Sequence, residues 1–213
     1  LTVHELPRAE QAVPVNTNGR LKMLIILLVC AAPVIASYFM YYVVRPEGRR
    51  NYGELITPQR PLPSLNMTMP NGLVLPLTSL KDQWLLISVA SGACDPACQQ
   101  NLYFQRQLRE SLGREKDRLD WVWLVSDDAP TPAQLEPALK GATVLRLSPP
   151  DLAQWLEAAP GQRLADHLYL VDPMGNWMMR FPATMDAAGA AKAKSDLERL
   201  LRASSSWDNE GRP

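Results

Sequence analysis

No charge of either sign dominates this chain: in 213 residues, Lys and Arg number 22 and Asp and Glu 22, and nowhere do five or six like charges stand together. Without that footprint for a phosphate backbone, nucleic acid is excluded as a main partner. Cysteine is scarce, with only Cys30, Cys94 and Cys98, so this is no disulfide-stapled miniprotein. No self-similarity appears at the periods of about 20 to 50 residues that mark solenoids. The first 22 residues carry Glu5 and Glu10 and no Arg-rich or Ser-rich amphipathic pattern, which argues against a mitochondrial transit peptide. What remains is a chain with 46% apolar and 21% charged residues, enough for one ordinary domain plus an accessory segment.

Charge is missing altogether from Met23 to Val44, a run of 22 residues. At about 1.5 Å per residue it reaches roughly 33 Å, the thickness of a bilayer's hydrocarbon core. The run exceeds the roughly 7 to 15 apolar residues of a cleaved secretory signal and continues into aromatics, so an uncleaved membrane anchor is expected. Tyr38, Phe39, Tyr41 and Tyr42 suit the headgroup level, Pro33 is tolerable in a span, and Cys30 reads as an apolar filler. Arg8, Arg20 and Lys22 precede the run and Arg45, Arg49 and Arg50 follow it, so flanking positive charge does not orient it.

Residues 45–65 are polar and punctuated by Pro46, Pro58, Pro61 and Pro63, as an extended, semi-rigid tether would be. Beyond it the pattern alternates. Trp84 to Ala90 and Leu119 to Val125 read as buried strands, Thr143 to Leu147 as a third, and His167 to Asp172 with Asn176 to Phe181 as a hairpin turning at Pro173-Met174-Gly175. Helical patterns run from Cys94 to about Gly113, Pro132 to Lys140, Pro149 to Ala158 and Asp186 to Ala203. This order predicts an α/β domain whose central sheet is flanked by helices on both faces, its first parallel strands joined by helical crossovers. The expected organisation is a tail over 1–22, a transmembrane helix over 23–44, a linker over 45–65, the domain over 66–203 and a C-terminal tail over 204–213.

Candidate chemistry concentrates where the first of these strands meets its helix, at Ser91-Gly92-Ala93-Cys94-Asp95-Pro96-Ala97-Cys98. Two cysteines four apart in a first helical turn share a face, close enough to form a disulfide or to hold one soft metal ion. A helix N-terminus favours thiolate over thiol, while the Asp95 carboxylate opposes it. A structural disulfide is the plain alternative.

Cys94-Asp95-Pro96-Ala97-Cys98, then Trp121 to Asp128 and Pro132-Ala133-Gln134-Leu135, then Asp166-His167 ahead of Tyr169 to Gly175, resemble the Sco/SenC family over roughly Leu73 to Leu201. Those are membrane-anchored, thioredoxin-like proteins that assist copper-site assembly in cytochrome c oxidase. The resemblance implies a thioredoxin-like fold and copper, Cu(I) or Cu(II), held by Cys94, Cys98 and His167. It also implies a partner that is either the copper-containing oxidase subunit or another assembly factor. The family usually has proline directly after each cysteine, where this chain has Asp95 and Gln99, and a gapless match puts Leu164 at the family's histidine. His167 instead stands eight residues before Gly175, where thioredoxin relatives place a proline facing the cysteines.

Met178 and Met179 could serve as soft thioethers, but neighbouring strand residues face opposite ways and packing is the simpler role. Asp127 and Asp128 end a strand at the same sheet edge as the cysteines, or cap the helix at Pro132. Trp84, Trp121, Trp123 and Trp155 read as core filler. A redox-capable pair is most useful in the oxidising periplasm, so the domain is expected on the outer side of a bacterial inner membrane. Three functions follow in order: copper delivery; thiol–disulfide exchange, with an exposed Cys94 attacking and Cys98 resolving; and a non-catalytic scaffold with a structural disulfide.

Overall fold

The uncharged run becomes a single helix, α1 (Gly19–Phe39), prolonged by a π-helical turn over Met40–Val44, with Pro33 inside it. The computed structural model describes residues 18–44 and 51–208. None of the α1 residues is buried, and the helix is long and apolar enough to cross a membrane. The expected tail up to residue 17, the flanking Arg8, Arg45, Arg49 and Arg50, and the chain end from residue 209 lie outside the described residues.

The rest of the chain is a separate compact unit built on one eight-stranded sheet. Its strands are β1 (Glu54–Pro61), β2 (Asn66–Thr68), β3 (Val74–Pro76), β4 (Trp84–Ala90), β5 (Leu119–Val125), β6 (Thr143–Arg146), β7 (Leu168–Val171) and β8 (Asn176–Arg180), in the spatial order β1-β8-β7-β4-β5-β6-β2-β3. The β4–β5 and β5–β6 pairs are parallel and the others antiparallel. Helices α2 (Pro96–Ser111), α3 (Pro149–Trp155) and α4 (Ala187–Ala203) complete it. All seven residues of β4 are buried, because this central strand is covered on both faces.

Alternation along the strands divides the core. Leu85, Ile87 and Val89 of β4 join Val122, Tyr169 and the α3 residues Leu152 and Trp155 on one face. Leu86 joins Leu170, Leu108 of α2 and Leu197 of α4 on the other, and Ala90 joins both cysteines and Leu102 on that α2 side. Trp84, Trp121, Trp123 and Trp155 are all buried. Two polar groups enter this core fully partnered. Gln105 of α2 accepts from the Ser88 hydroxyl at 3.0 Å and donates to the carbonyls of Leu86 and Val122, bracing the helix against two strands. Asp196 of α4 accepts the backbone N–H groups of Tyr52 at 2.6 Å and Gly53 at 3.0 Å, fastening the entry to β1.

The structure corrects the sequence reading at four places. The supposed tether over 45–65 contains β1, an edge strand paired with β8; prolines are admissible on an edge strand, where a missing N–H breaks no ladder. The β2–β3 hairpin was too short for periodicity to register. Pro132 to Lys140 holds only a 3-10 turn over Ala133–Leu135 and further turns. The C-terminal segment is not a free tail as far as residue 208. Trp207 stacks on Trp84, with ring centroids 6.5 Å apart, and Asp208 pairs with Arg118.

Candidate thiol–disulfide site

The site begins where β4 runs out. Proline disfavours helical backbone in the residue before it, so Asp95 is extended (φ −63°, ψ 173°) and Pro96 opens α2. The Asp95 carboxylate accepts the Cys98 N–H at 2.8 Å, an N-cap bond. Cys98 is therefore in the first turn of the helix, whereas Cys94 precedes the cap, which corrects the expectation that both lie inside α2. Replacing Asp95 with Ala is expected to cost about 1 kcal/mol of stability through the lost cap, read as a lower urea midpoint at unchanged slope.

Cys94 and Cys98 are joined in a disulfide, with their Cα atoms 5.1 Å apart. Cys94 adopts a φ of +46°, in the left-handed region that a residue with a Cβ seldom enters. Local bonds hold it there: its N–H donates to the Ser91 carbonyl at 3.0 Å, and its own carbonyl accepts from the Gln99 side chain at 3.1 Å. Neither cysteine is exposed, Cys94 being 2% and Cys98 5% accessible. The expectation of a more exposed Cys94 is thus corrected: the turn folds its side chain inward beside Ala90, Leu102 and Val125.

The turn before Cys94 is tied to the neighbouring strand end. Asp127, just past β5, accepts the Gly92 N–H at 2.8 Å and the Ala129 N–H at 3.2 Å. The Ser91 hydroxyl beside it, then the backbone bonds and nearby Arg146, hold this carboxyl below its ordinary pKa. Arg146 of β6 donates to the carbonyls of Asp127 at 2.7 Å and Ala129 at 3.0 Å. Asp128 is exposed and lies 3.8 Å from Arg146. Of the two roles considered for Asp127 and Asp128, Asp127 does stand at the strand end beside the cysteine turn and bonds to it, while neither residue caps a helix at Pro132, where only a 3-10 turn forms. Gln99 and Arg146 carried no sequence signal, because a Gln one residue after a cysteine and an Arg ending a strand are common everywhere.

His167 is placed differently from its expected partners. Its ring lies 6.0 Å from that of Tyr169, whose side chain belongs to the α3 face, while the sulfurs pack on the α2 face. Its Nδ1–H donates to the Phe181 carbonyl at 2.8 Å and its Nε2 accepts the Ala159 N–H at 3.2 Å. Both ring nitrogens are consumed by backbone, which makes this a neutral imidazole, and burial lowers its pKa further. The structure joins Cys94 to Cys98 and engages both ring nitrogens of His167 with backbone groups, so the imidazole as it stands has no free lone pair for a metal. Among the described residues there is no group of three or more His, Cys, Asp or Glu side chains that could hold a metal ion. Met179 is buried among apolar side chains.

A groove of about 430 Å³ opens beside the first turns of α2. Ala97, Gln100 and Asn101 form one wall, Ala165 and Asp166 another, and Thr184 and Met185 a third; Asn101 spans it by donating to the Ala165 carbonyl at 3.0 Å.

An apolar helix followed by a thioredoxin-like domain, with a cysteine pair at its central strand-to-helix junction, defines the class of protein. By sequence, residues 84–204 match the family described as transmembrane-like, thioredoxin-like, C-terminal domain, and residues 14–44 match the transmembrane-like N-terminal domain, so the chain belongs to that transmembrane-like, thioredoxin-like family. No curated protein matches it by sequence. Among solved structures, apo Sco1 from Thermus thermophilus is 18% identical, covering 72% of this chain and 96% of its own, with a TM-score of 0.51. A SCO1/SenC family lipoprotein from Bacillus anthracis is 16% identical, covering 68% and 99%, with a TM-score of 0.51. Copper-bound Sco1 from yeast is 16% identical, covering 66% and 90%, with a TM-score of 0.50. At such identity these neighbours share the fold. The family matched by sequence is the transmembrane-like one, not Sco/SenC itself.

Proposed function

We propose that this protein is a membrane-tethered thiol–disulfide exchange protein whose redox pair is Cys94 and Cys98. The observation that carries the reading is the disulfide at the strand-to-helix junction with Cys94 at φ +46°. A non-glycine residue in that region costs on the order of 1–2 kcal/mol, and such outliers concentrate at functional sites. A partner thiolate attacks the Cys94 sulfur and releases Cys98 as thiolate at a helix N-terminus, where it is stabilised. A second partner thiolate then attacks the mixed disulfide, so the partner leaves oxidised and this protein gains two electrons and two protons. The reverse sequence, with Cys94 attacking and Cys98 resolving, reduces a partner disulfide. The apolar helix α1 serves as the anchor and the domain faces the periplasm, where protein thiols and disulfides interchange. The partner is a protein with a cysteine pair on that side, and a copper-containing oxidase subunit is one such protein.

The experiment is equilibration of the full chain in detergent with dithiothreitol mixtures, scored by thiol alkylation and tryptophan fluorescence. The expected result is complete, reversible reduction of the pair with the fold retained. Reduction only upon unfolding would instead establish a purely structural disulfide.

Copper handling is a second reading, favoured by the adjacency of two sulfurs that become soft ligands once reduced. It is tested by Cu(I) titration of the reduced protein against a competing chelator. Binding that disappears in Cys94→Ser and Cys98→Ser supports it, and absence of binding in the wild type removes it.

A further inference from the structure

The sulfurs themselves belong to the site already described, but the turn that presents one of them is held from the end of the neighbouring strand, β5. Asp127 accepts the N–H of Gly92 at 2.8 Å, between Ser91 and Ala93, and the Ser91 carbonyl in turn accepts the Cys94 N–H at 3.0 Å. The two strand-end turns press so closely that a Cβ on Gly92 would stand 2.1 Å from the Ala129 carbonyl oxygen. Arg146 closes the assembly by donating to the carbonyls of both Asp127 and Ala129. None of these groups touches a sulfur, yet together they leave the turn before Cys94 little freedom.

We propose that Asp127, steadied by Arg146, is a positioning residue for the cysteine pair: it fixes the turn that brings Cys94 to Cys98 and so sets the balance between disulfide and dithiol. The inference rests on the exchange reading of the site. In the disulfide, Cys94 must keep its left-handed backbone; in the dithiol it need not. A braced turn raises the effective concentration of one thiol beside the other, which favours the disulfide. Loosening the brace therefore shifts the pair toward the dithiol.

The test is the equilibrium constant of the full chain in detergent against dithiothreitol, each molecule of which delivers two electrons and two protons and leaves as its cyclic disulfide. Asp127→Ala is expected to favour the dithiol by about tenfold, which corresponds to about 30 mV. Asp127→Asn keeps an acceptor oxygen for the Gly92 N–H and is expected to stay within about twofold of wild type, by the same geometric argument. Arg146→Met is expected to move the constant in the same direction by about threefold, and it carries the test should Asp127→Ala fail to fold. Arg118→Ala, which weakens the domain far from the turn, is the control and is expected to leave the constant unchanged. A constant shared by wild type and Asp127→Ala, or an equal shift in Arg118→Ala, overturns the positioning role alone. A wild-type pair that stays oxidised at every dithiothreitol ratio overturns the exchange reading and the positioning role with it.

Discussion

His167→Ala is expected to lower the unfolding free energy by about 2–4 kcal/mol and to leave Cu(I) binding by the reduced cysteines, where it occurs, unchanged. The stability loss follows from the two backbone groups that the imidazole partners. Without it, the Ala159 N–H and the Phe181 carbonyl are stranded in a site where His167 is only 2% accessible. The pH dependence carries the same signature. Burial, then the Arg180 charge, lowers the histidine's pKa, against the Phe181 bond and the carboxylates of Asp166 and Glu54. A folded-state value below the unfolded value of about 6.5 means that the unfolded chain takes up the proton first. The contribution is complete above about pH 6.5 and is lost as pH falls through the lowered value. Urea unfolding between neutral and mildly acidic pH should therefore show wild-type stability falling more steeply than that of His167→Ala. An unchanged midpoint in the variant, together with lost Cu(I) affinity, would restore His167 to the metal.

Arg118→Ala is expected to cost about 3–5 kcal/mol, the scale of a buried pair deprived of one partner. Arg118 is 6% accessible, and its guanidinium grips both oxygens of Asp208, whose side chain is fully buried. It also donates to the Leu201 carbonyl at 2.9 Å and the Ser204 carbonyl at 3.0 Å, satisfying the C-terminal end of α4. Removing it leaves a buried carboxylate without its cation, takes one of two donors from each helix-end carbonyl, and releases the segment that stacks Trp207 on Trp84. Arg118→Lys keeps the charge but not the planar fork and is expected to recover less than half of the loss. Chemical denaturation with amide exchange at the end of α4 checks both: the exchange should rise there before it rises in β4.

Much of the domain was legible because its central elements obey simple periods. Trp84–Ala90 and Leu119–Val125 are apolar runs of strand length, interrupted only by Ser88 and Asp120, and both strands occupy those residues. The Ala-rich stretch with its Lys, Glu and Arg residues marked α4, which starts one residue later than read, because Asp186 is its cap and accepts the Gly189 N–H. The edges were illegible for an equally physical reason. Glu54–Pro61 faces solvent over much of its length, alternates weakly and carries two prolines, so only its pairing with β8 makes it a strand.

The site divides along the same line. Sequence alone determined that an apolar helix of membrane-spanning length precedes an α/β domain, and that two cysteines stand where its first buried strand gives way to a helix, because hydrophobic period and a first-turn proline act over a few residues. Tertiary structure alone decided that both ring nitrogens of His167 serve backbone groups, and that Asp127, steadied by Arg146, reaches across to brace the cysteine turn. Those outcomes depend on which groups lie within about 3 Å of one another after the sheet has assembled, where a buried polar atom must find a partner, and spacing along the chain carries no record of that distance.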